Sequence, residues 1–419
     1  MGEARRYFEI PGQFALRRGG VLERPVLAYE TWGKLDAARD NAVLVFTGMS
    51  PSAHAASSAA DPRRGWWEEI IGPSRAIDTR RHFVICMNSL GSCFGSTGPA
   101  SVDPATGEPY RLGFPLLTLE DIAVAGQRLL EHLGIARLHT LVGPSMGGMT
   151  ALAHAALFPG RARQLVLVST GARALPYAVA LRSLQREMIR RDPAFADGHY
   201  DAAAGPITGM RLARKLGMLS YRSAQEWEGR FGRERIAAEQ QPVGSFAPEF
   251  EVESYLEAHA QKFTGQFDPN SYLYLSRASD LFDLAEHGGS VEAALARLQV
   301  ERALVIGVET DILFPIHQQR ELAAGLEQAG AEVVLAELPS IQGHDAFLVD
   351  TERFGAVIGE FLAGGRTTRL RPLLVRMEEQ GASRRPDPGR QPWAGLHEGA
   401  GGQGGGGPAG EPLLACRGR

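Results

Sequence analysis

The sequence predicts an α/β fold in which a mostly parallel sheet is covered by helices on both faces and interrupted by a helical insertion. Short apolar runs rich in β-branched residues alternate with helical patterns through the first 170 residues and return after residue 300. Such runs, without polar alternation, are typical of parallel strands buried on both faces. Strands alternating with helices indicate right-handed crossovers within one sheet.

Each predicted element follows from an apolar run or from helical spacing. Strands are expected at residues 41–46, 82–86, 139–142, 164–168, 303–308 and 332–338. Helices are expected at residues 119–133, from 146 to about 159, and at 182–191, 220–228, 251–260, 317–329 and 353–362. The 419 residues are enough for one large domain or two ordinary ones.

The organisation of domains follows from a change of pattern near residue 175. Residues 176–296 contain helical patterns and no strong strand candidate, which predicts a helical lid inserted between core parts 1–175 and 297–363. Two sequential domains are the alternative. We favour the insertion because the candidate site residues need both ends of the chain together. Residues 364–419 are rich in Gly, Pro and Arg and are predicted to be disordered.

Composition argues against several classes of function. The net charge of −4 gives no support for a nucleic-acid partner or an anionic membrane. The cysteines at positions 86, 93 and 416 form neither a disulfide framework nor a four-ligand zinc site, so no metal is predicted. No run of 18 apolar residues is present, and residues 1–13 lack the apolar core of a secretory signal. We therefore expect a soluble, cytoplasmic protein that acts on small molecules.

The strongest chemical signal lies at residues 143–148, which read G-P-S-M-G-G between a predicted strand and a predicted helix. In this context G-x-S-x-G is the nucleophile elbow, a sharp turn that needs small neighbours and lifts a serine hydroxyl above the sheet. The hydroxyl then lies at a helix N-terminus, where backbone N–H groups favour negative charge. We predict Ser145 as the nucleophile and the N–H of Met146 as an oxyanion donor.

A serine nucleophile needs a base, and the base needs an orienting acid. Asp311 and His344 each follow a late predicted strand, and the order Ser, Asp, His is the one expected with this motif. Ser145, Asp311 and His344 are therefore the predicted triad. His54 is a rival base, but it precedes the nucleophile in the chain, so we favour His344.

The second oxyanion donor is expected on the loop after the first predicted strand, where residues 47–51 read T-G-M-S-P. We assign it to the N–H of Met49. Together these features predict a triad hydrolase or an acyltransferase. The residues alone do not show whether water or another molecule accepts the acyl group. That outcome depends on a binding site for the acceptor and on the exclusion of water from it.

A long block at residues 88–99 reads N-S-L-G-S-C-F-G-S-T-G-P, and residues 103–110 read D-P-A-T-G-E-P-Y. With the segments that carry the predicted triad, this block resembles the homoserine O-acyltransferase family of α/β hydrolases over residues 8–363. The resemblance implies an α/β-hydrolase fold and a ping-pong transfer of an acyl group from acyl-CoA to an amino-acid hydroxyl. It also implies acyl-CoA as co-substrate, no permanently bound cofactor, and a homodimer in which lid helices meet.

Within this family, three stretches are more similar to serine O-succinyltransferases than to homoserine acetyltransferases: residues 47–56, 181–187 and 209–215. The resemblance thus implies succinyl-CoA and L-serine as substrates, in cysteine biosynthesis. A homoserine O-succinyl- or acetyltransferase of methionine biosynthesis stays the alternative, because one methylene is worth only ~1–3 kcal/mol in a pocket. An esterase or thioesterase is less favoured. A scaffold protein without catalytic activity is disfavoured, because the predicted triad is complete.

The resemblance also implies roles for side chains outside the triad. It places Arg214 and Tyr221 at the carboxylate of the acceptor and Asp345 near its ammonium group, which suits the charges of Arg214 and Asp345. Arg182 is predicted to select the acyl group, because a succinyl group carries a distal carboxylate that an acetyl group lacks. The loop assigned to the choice of acceptor consists of Ser50, Pro51, Ser52 and Ala53.

Overall fold

The computed structural model describes residues 4–201 and 204–365. The predicted tail, apart from its first two residues, lies outside the described residues, as does Cys416. Within the described part of the chain, no helix is long and apolar enough to cross a membrane.

An eight-stranded sheet forms the centre of the protein. Its strands, numbered in chain order, are β1 (Arg6–Glu9), β2 (Val26–Trp32), β3 (Ala42–Phe46), β4 (Phe83–Met87), β5 (Leu138–Pro144), β6 (Ala162–Val168), β7 (Arg302–Val308) and β8 (Glu332–Leu338). The order across the sheet is β1–β2–β4–β3–β5–β6–β7–β8. The pairs β1–β2 and β2–β4 are antiparallel and all other neighbours are parallel. This mostly parallel sheet confirms the predicted fold class.

Two antiparallel strands at one edge were not predicted. β1 reads R-Y-F-E and is exposed at three of its four positions, so it lacks a continuous apolar run. β2 contains the buried polar residue Glu30, which interrupts its apolar pattern. Two short strand pairs lie outside the main sheet: Gln13–Ala15 with Val21–Glu23, and Ile71–Gly72 with Ile77–Asp78.

The helices, numbered in chain order, are α1 (Leu119–His132), α2 (Met146–Leu157), α3 (Pro176–Arg191), α4 (Ile207–Tyr221), α5 (Ala224–Phe231), α6 (Glu251–Phe263), α7 (Pro269–Leu281), α8 (Val291–Leu295), α9 (Ile316–Gln328), α10 (Ala346–Val349) and α11 (Thr351–Leu362). Short 3-10 helices lie at Arg111–Gly113, Pro193–Gly198, Ala238–Gln240, Leu284–His287 and Gly343–Asp345. Helices α3 to α8 lie between β6 and β7. That they act as a lid stays a prediction.

Each face of the sheet carries an apolar core. Successive side chains of a strand point to opposite faces, and the fully buried strand β3 shows this directly. Val43 and Val45 pack in one core with Phe361 of α11, whereas Leu44 and Phe46 belong to the other core, with α1 and α2. Because β3, β5, β7 and β8 are parallel, the loops after their carboxyl ends meet at one edge of the sheet. The predicted triad, Met49 and Asp345 lie on these loops, whereas Arg182, Arg214 and Tyr221 lie on helices of the insertion.

Candidate active site

Ser145 lies in the sharp turn between β5 and α2. Its backbone has φ 55° and ψ −126°, a conformation that residues other than glycine rarely adopt. The Ser145 amide donates to the Val168 carbonyl at 2.8 Å, and the Thr170 hydroxyl donates to the Ser145 carbonyl at 2.8 Å. A Cβ on Gly147 would lie 2.2 Å from the Phe46 carbonyl oxygen. The motif therefore needs glycine here, and neighbouring strands hold the strained turn in place.

The three predicted triad side chains form one hydrogen-bonded chain. His344 Nδ1 lies 2.7 Å from Asp311 Oδ2, and His344 Nε2 lies 2.8 Å from Ser145 Oγ. The other oxygen of Asp311 accepts from the amides of Leu313 and Phe314 at 2.8 and 3.0 Å. An ionised carboxylate only accepts hydrogen bonds, so His344 Nδ1 donates to Asp311. His344 Nε2 is then unprotonated and accepts a hydrogen bond from the Ser145 hydroxyl. This is the geometry of a Ser-His-Asp triad.

The electrostatic surroundings set the basicity of His344. Burial alone would lower the pKa of this imidazole, but the charge of Asp311 and its hydrogen bond to the ring outweigh burial. The charge of Asp345 acts in the same direction, so the pKa of His344 lies above its usual value. His344 is thus a stronger base than a free imidazole.

A pocket opens over Ser145 and brings together residues from the sheet edge and from the insertion. Met49 and Met146, the predicted oxyanion residues, both line it, and Met146 is the first residue of α2. The remaining lining residues are Met149, Leu181, Arg182, Gln185, Ser220, Tyr221, Ser279, Leu313, Phe314 and His344. Most of the surface that faces the pocket is apolar, and the polar groups in it decide how a ligand is oriented.

Arg182 supplies a positive charge to this pocket. Its Nε donates to Asp280 Oδ1 at 2.6 Å, and Asp280 Oδ2 lies 2.7 Å from Arg186 Nη2. The Nη2 atom of Arg182 is buried and has no hydrogen-bond partner among the residues that the structure describes. A buried, unpaired charged donor is unfavourable, so this nitrogen suits an anionic oxygen of a bound ligand.

Tyr221 and Arg214 come from the insertion, on α4. Tyr221 lines the pocket, and its ring centroid lies 6.1 Å from that of His344. Arg214 is buried and lies over the Phe263 ring, 4.6 Å from its centroid. It is not among the residues that line the pocket, but its charge acts on both Tyr221 and Asp345.

Asp345 directly follows His344 and forms an ion pair with Arg222, a residue that was not predicted from the sequence. Burial raises the pKa of Asp345, and the charges of Arg222 and Arg214 oppose this rise. Arg222 Nε donates to Asp345 Oδ2 at 3.2 Å, while its Nη1 donates to Glu226 and Gln342 at 3.0 and 2.7 Å. The buried carboxylate is therefore paired in the structure as it stands.

The described residues form the fold and the catalytic geometry of a known family. Residues 41–351 match the family described as alpha/beta hydrolase fold. The chain belongs to the α/β-hydrolase fold family. Within the described residues, no group of three or more His, Cys, Asp or Glu side chains could hold a metal ion.

Known relatives of this α/β hydrolase are acyltransferases. It is 58% identical over 364 residues to the serine O-succinyltransferase of Litchfieldella anticariensis, covering 87% of this chain and 99% of the relative. It is also 58% identical over 364 residues to the L-serine/homoserine O-acetyltransferase of Streptomyces lavendulae, covering 86% and 97%. These similarities confirm the resemblance based on residues 88–99, and this α/β hydrolase is an O-acyltransferase.

Two solved structures share its architecture. The homoserine O-acetyltransferase from Bacillus anthracis superposes with a TM-score of 0.78 at 30% identity, covering 85% of this chain and 97% of that one. Esterase E22 superposes with a TM-score of 0.78 at 29% identity, covering 86% and 100%. The same architecture thus occurs in a transferase and in an esterase, so the fold alone does not set the acceptor.

The block at residues 88–99 anchors the loop that carries Met49. The Asn88 amide group donates to the Pro51 carbonyl at 3.3 Å and to the Ser92 hydroxyl at 3.1 Å. Of this loop, Met49 lines the pocket of the O-acyltransferase, whereas residues 50–53 are not among its lining residues. Their predicted part in the choice of acceptor stays a prediction.

His54, the rival base, is bonded to residues outside the triad. Its Nδ1 lies 2.8 Å from Glu30 Oε2 and its Nε2 lies 2.9 Å from the Arg63 carbonyl oxygen. Both ring nitrogens are therefore occupied by partners other than Ser145. The hydrogen bonds of the nucleophile favour His344 as the base, in agreement with the order of the residues in the chain.

Proposed function

We propose that this protein transfers the succinyl group of succinyl-CoA to the side-chain hydroxyl of L-serine, giving O-succinyl-L-serine and coenzyme A. The observation that carries the choice of donor is the buried, unpaired Nη2 of Arg182 among the residues that line the pocket with Ser145. A succinyl group ends in a carboxylate and an acetyl group in a methyl, so only succinyl would pair with this nitrogen. The 58% identical serine O-succinyltransferase supports the same pair of substrates.

In the first half-reaction, Ser145 Oγ attacks the thioester carbon while its proton passes to His344 Nε2. A C–O bond replaces the C–S bond, and the proton then goes to the departing coenzyme A sulfur. Asp311 holds the His344 tautomer and stabilises the imidazolium that forms. The N–H groups of Met49 and Met146 donate hydrogen bonds to the carbonyl oxygen and stabilise the negative charge that develops on it.

In the second half-reaction, the hydroxyl of the acceptor gives its proton to His344 Nε2 and attacks the acyl carbon. Ser145 Oγ takes the proton back as its ester bond breaks. Arg214 and Tyr221 bind the acceptor's carboxylate, and Asp345 binds its ammonium group. The apolar wall of the pocket limits the access of water to the acyl-enzyme.

The insertion and the assembly belong to the same proposal. Leu181 and Tyr221 bring α3 and α4 into the pocket wall, which supports a lid role for the insertion. Exposed apolar side chains on these two helices support the expected homodimer: Tyr177, Leu184, Leu212 and Leu219. We place the homodimer in the cytoplasm, where its product enters cysteine biosynthesis.

Homoserine as acceptor and acetyl-CoA as donor form the second candidate, because the Streptomyces lavendulae relative is named for both acceptors and for acetyl transfer. Coenzyme A release, followed with a thiol reagent, separates the candidates when succinyl- or acetyl-CoA is paired with L-serine or L-homoserine. We expect the highest kcat/KM with succinyl-CoA and L-serine. A preference for homoserine assigns the protein to methionine biosynthesis, and release that ignores both amino acids identifies a thioesterase.

The pH dependence of acylation reports the state of His344. This residue accepts the serine proton only when it is neutral, and its pKa lies above the usual 6.5. We expect kcat/KM for succinyl-CoA to fall as the pH drops through this raised pKa, about tenfold per pH unit below it. The acid limb should have the same midpoint with acetyl-CoA. A midpoint at or below 6.5 contradicts the assignment.

Arg222→Met tests the role of Asp345. Without Arg222, the pKa of the buried Asp345 carboxyl rises further, so the neutral acid no longer attracts an ammonium group. We expect KM for L-serine to increase about tenfold while KM for succinyl-CoA stays the same. Arg230→Met is the matched control, because Arg230 pairs with Glu226 but not with Asp345. An equal increase of both KM values in the Arg222 variant contradicts this role.

A further inference from the structure

A buried cluster of charged side chains lies at the far end of the loop that carries Met49. His54 ends this loop, and Glu30 on β2 and Asp61 are buried beside it. His54 Nδ1 lies 2.8 Å from Glu30 Oε2 and 3.8 Å from Asp61 Oδ2, and His54 Nε2 lies 2.9 Å from the Arg63 carbonyl oxygen. Asp61 is paired in turn with the Arg63 side chain, whose Nε donates to it at 2.9 Å.

The partners of His54 favour a positively charged ring. A backbone carbonyl only accepts hydrogen bonds, and so does an ionised carboxylate, whereas a neutral imidazole has a single N–H to donate. Both ring nitrogens of His54 face such acceptors, and a ring with two protons satisfies both of them. The nearby charge of Asp61 favours placing the positive charge on the ring. Although burial alone would lower it, the pKa of His54 is raised by Glu30, by the Arg63 carbonyl and by Asp61.

This cation holds one end of a short loop in which Met49 lines the pocket. Trp66 reinforces the same end, because its indole N–H donates to the Ser52 carbonyl at 3.1 Å and its amide to the His54 carbonyl at 3.3 Å. Met49, five positions before His54, lies in the pocket wall beside Ser145. His54 and Met49 are therefore the two ends of one short segment, which is anchored at His54.

We propose that His54 is a positioning residue for acyl transfer: as a buried imidazolium, it ties the loop to Glu30 and to the Arg63 carbonyl and so holds the Met49 N–H at the reacting oxygen. This inference goes beyond the proposed function, because it concerns the oxyanion site and not the identity of donor or acceptor. It assigns a role to a histidine that the triad does not use.

The charge of His54 is tested directly by NMR of the side-chain nitrogens in the full-length protein. Comparison with His54→Gln assigns the resonances, and we expect both His54 nitrogens to show protonated shifts at pH 7.5. Glu30→Gln keeps a hydrogen-bonding partner but removes the charge, so the His54 pKa should fall and the resonances should become those of a neutral ring at that pH. A neutral pattern in the unmodified protein overturns the proposal.

The positioning role is tested by kinetics with succinyl-CoA and L-serine. We expect His54→Gln to lower kcat about tenfold to hundredfold while both KM values change little, because a small misplacement of a reacting group has effects of this size. His287→Gln is the matched control: His287 is another histidine bonded to a carboxylate, Glu120, at 3.1 Å, and its side chain is 8% exposed. It should lose stability and keep its kcat.

Stability and turnover together decide the outcome. If His54→Gln and His287→Gln unfold at similar temperatures and both keep kcat, His54 is only structural and the proposal is wrong. If His54→Gln does not fold, the kinetics of Glu30→Gln replace those of His54→Gln, because glutamine at position 30 retains the shape of the cluster. A reduced kcat in Glu30→Gln, together with neutral His54 resonances, supports the proposal, and an unchanged kcat overturns it.

Discussion

Ser145→Ala is expected to lower the rate of succinyl transfer by a factor of about 10⁴ or more, since loss of a serine nucleophile removes the covalent route altogether. The Ser145 hydroxyl lies 2.8 Å from His344 Nε2, the proposed base, and alanine has no group to replace it. Alanine keeps the Cβ at this position, so the strained backbone with φ 55° is no worse than before. Coenzyme A release with L-serine measures the loss.

The fold of this variant serves as its control. Since the hydroxyl is the one group removed, thermal unfolding of Ser145→Ala should take place within a few degrees of the unmodified protein. Asp311 and His344 should keep their mutual hydrogen bond, which is independent of Ser145. Turnover that survives in a folded Ser145→Ala would remove this residue as the nucleophile.

Arg182→Leu should reverse or remove the preference for succinyl-CoA over acetyl-CoA. A hydrogen bond to a charged group is worth ~1.5–3 kcal/mol, and its loss should reduce the succinyl-to-acetyl ratio of kcat/KM about 10- to 150-fold. The acetyl reaction should change far less, because an acetyl group has no distal carboxylate to pair with Nη2. The measurement compares both donors at the same concentration of L-serine.

Arg186→Leu is the matched control for this prediction. Arg186 pairs with the same carboxylate, Asp280, at 2.7 Å, but it does not line the pocket. Its removal disturbs the ion-pair cluster and leaves Arg182 bonded to Asp280 through Nε. The donor ratio should therefore stay close to that of the unmodified protein. Equal losses with both donors in Arg182→Leu would reduce Arg182 to a structural role.

The sequence was most informative where one short segment determines its own structure. The fully buried run of β3 and the G-P-S-M-G-G turn carry their patterns within a few residues, so the strand and the elbow could be located. Edge strand β1 was missed because one side of it faces solvent and its apolar pattern is broken. Helix α7, which carries Asp280, was missed as well.

Residues that act through distant partners could not be predicted in the same way. Asp280 and Arg182 are 98 positions apart, and Arg222 and Asp345 are 123 positions apart, so no local spacing links them. Arg182 was singled out through family resemblance, but the acid that holds it was not. Glu30 illustrates the same limit, because its place in a strand gives no sign of the buried histidine that it meets.

Mass spectrometry of the protein mixed with succinyl-CoA in the absence of an acceptor tests the central claim most directly. The account predicts a covalent succinyl group on the peptide that contains Ser145, none in Ser145→Ala, and release of coenzyme A in equal amount. Addition of L-serine should then remove the group and form O-succinyl-L-serine. An unmodified Ser145 peptide, or a succinyl group that leaves at the same rate without L-serine, would contradict it.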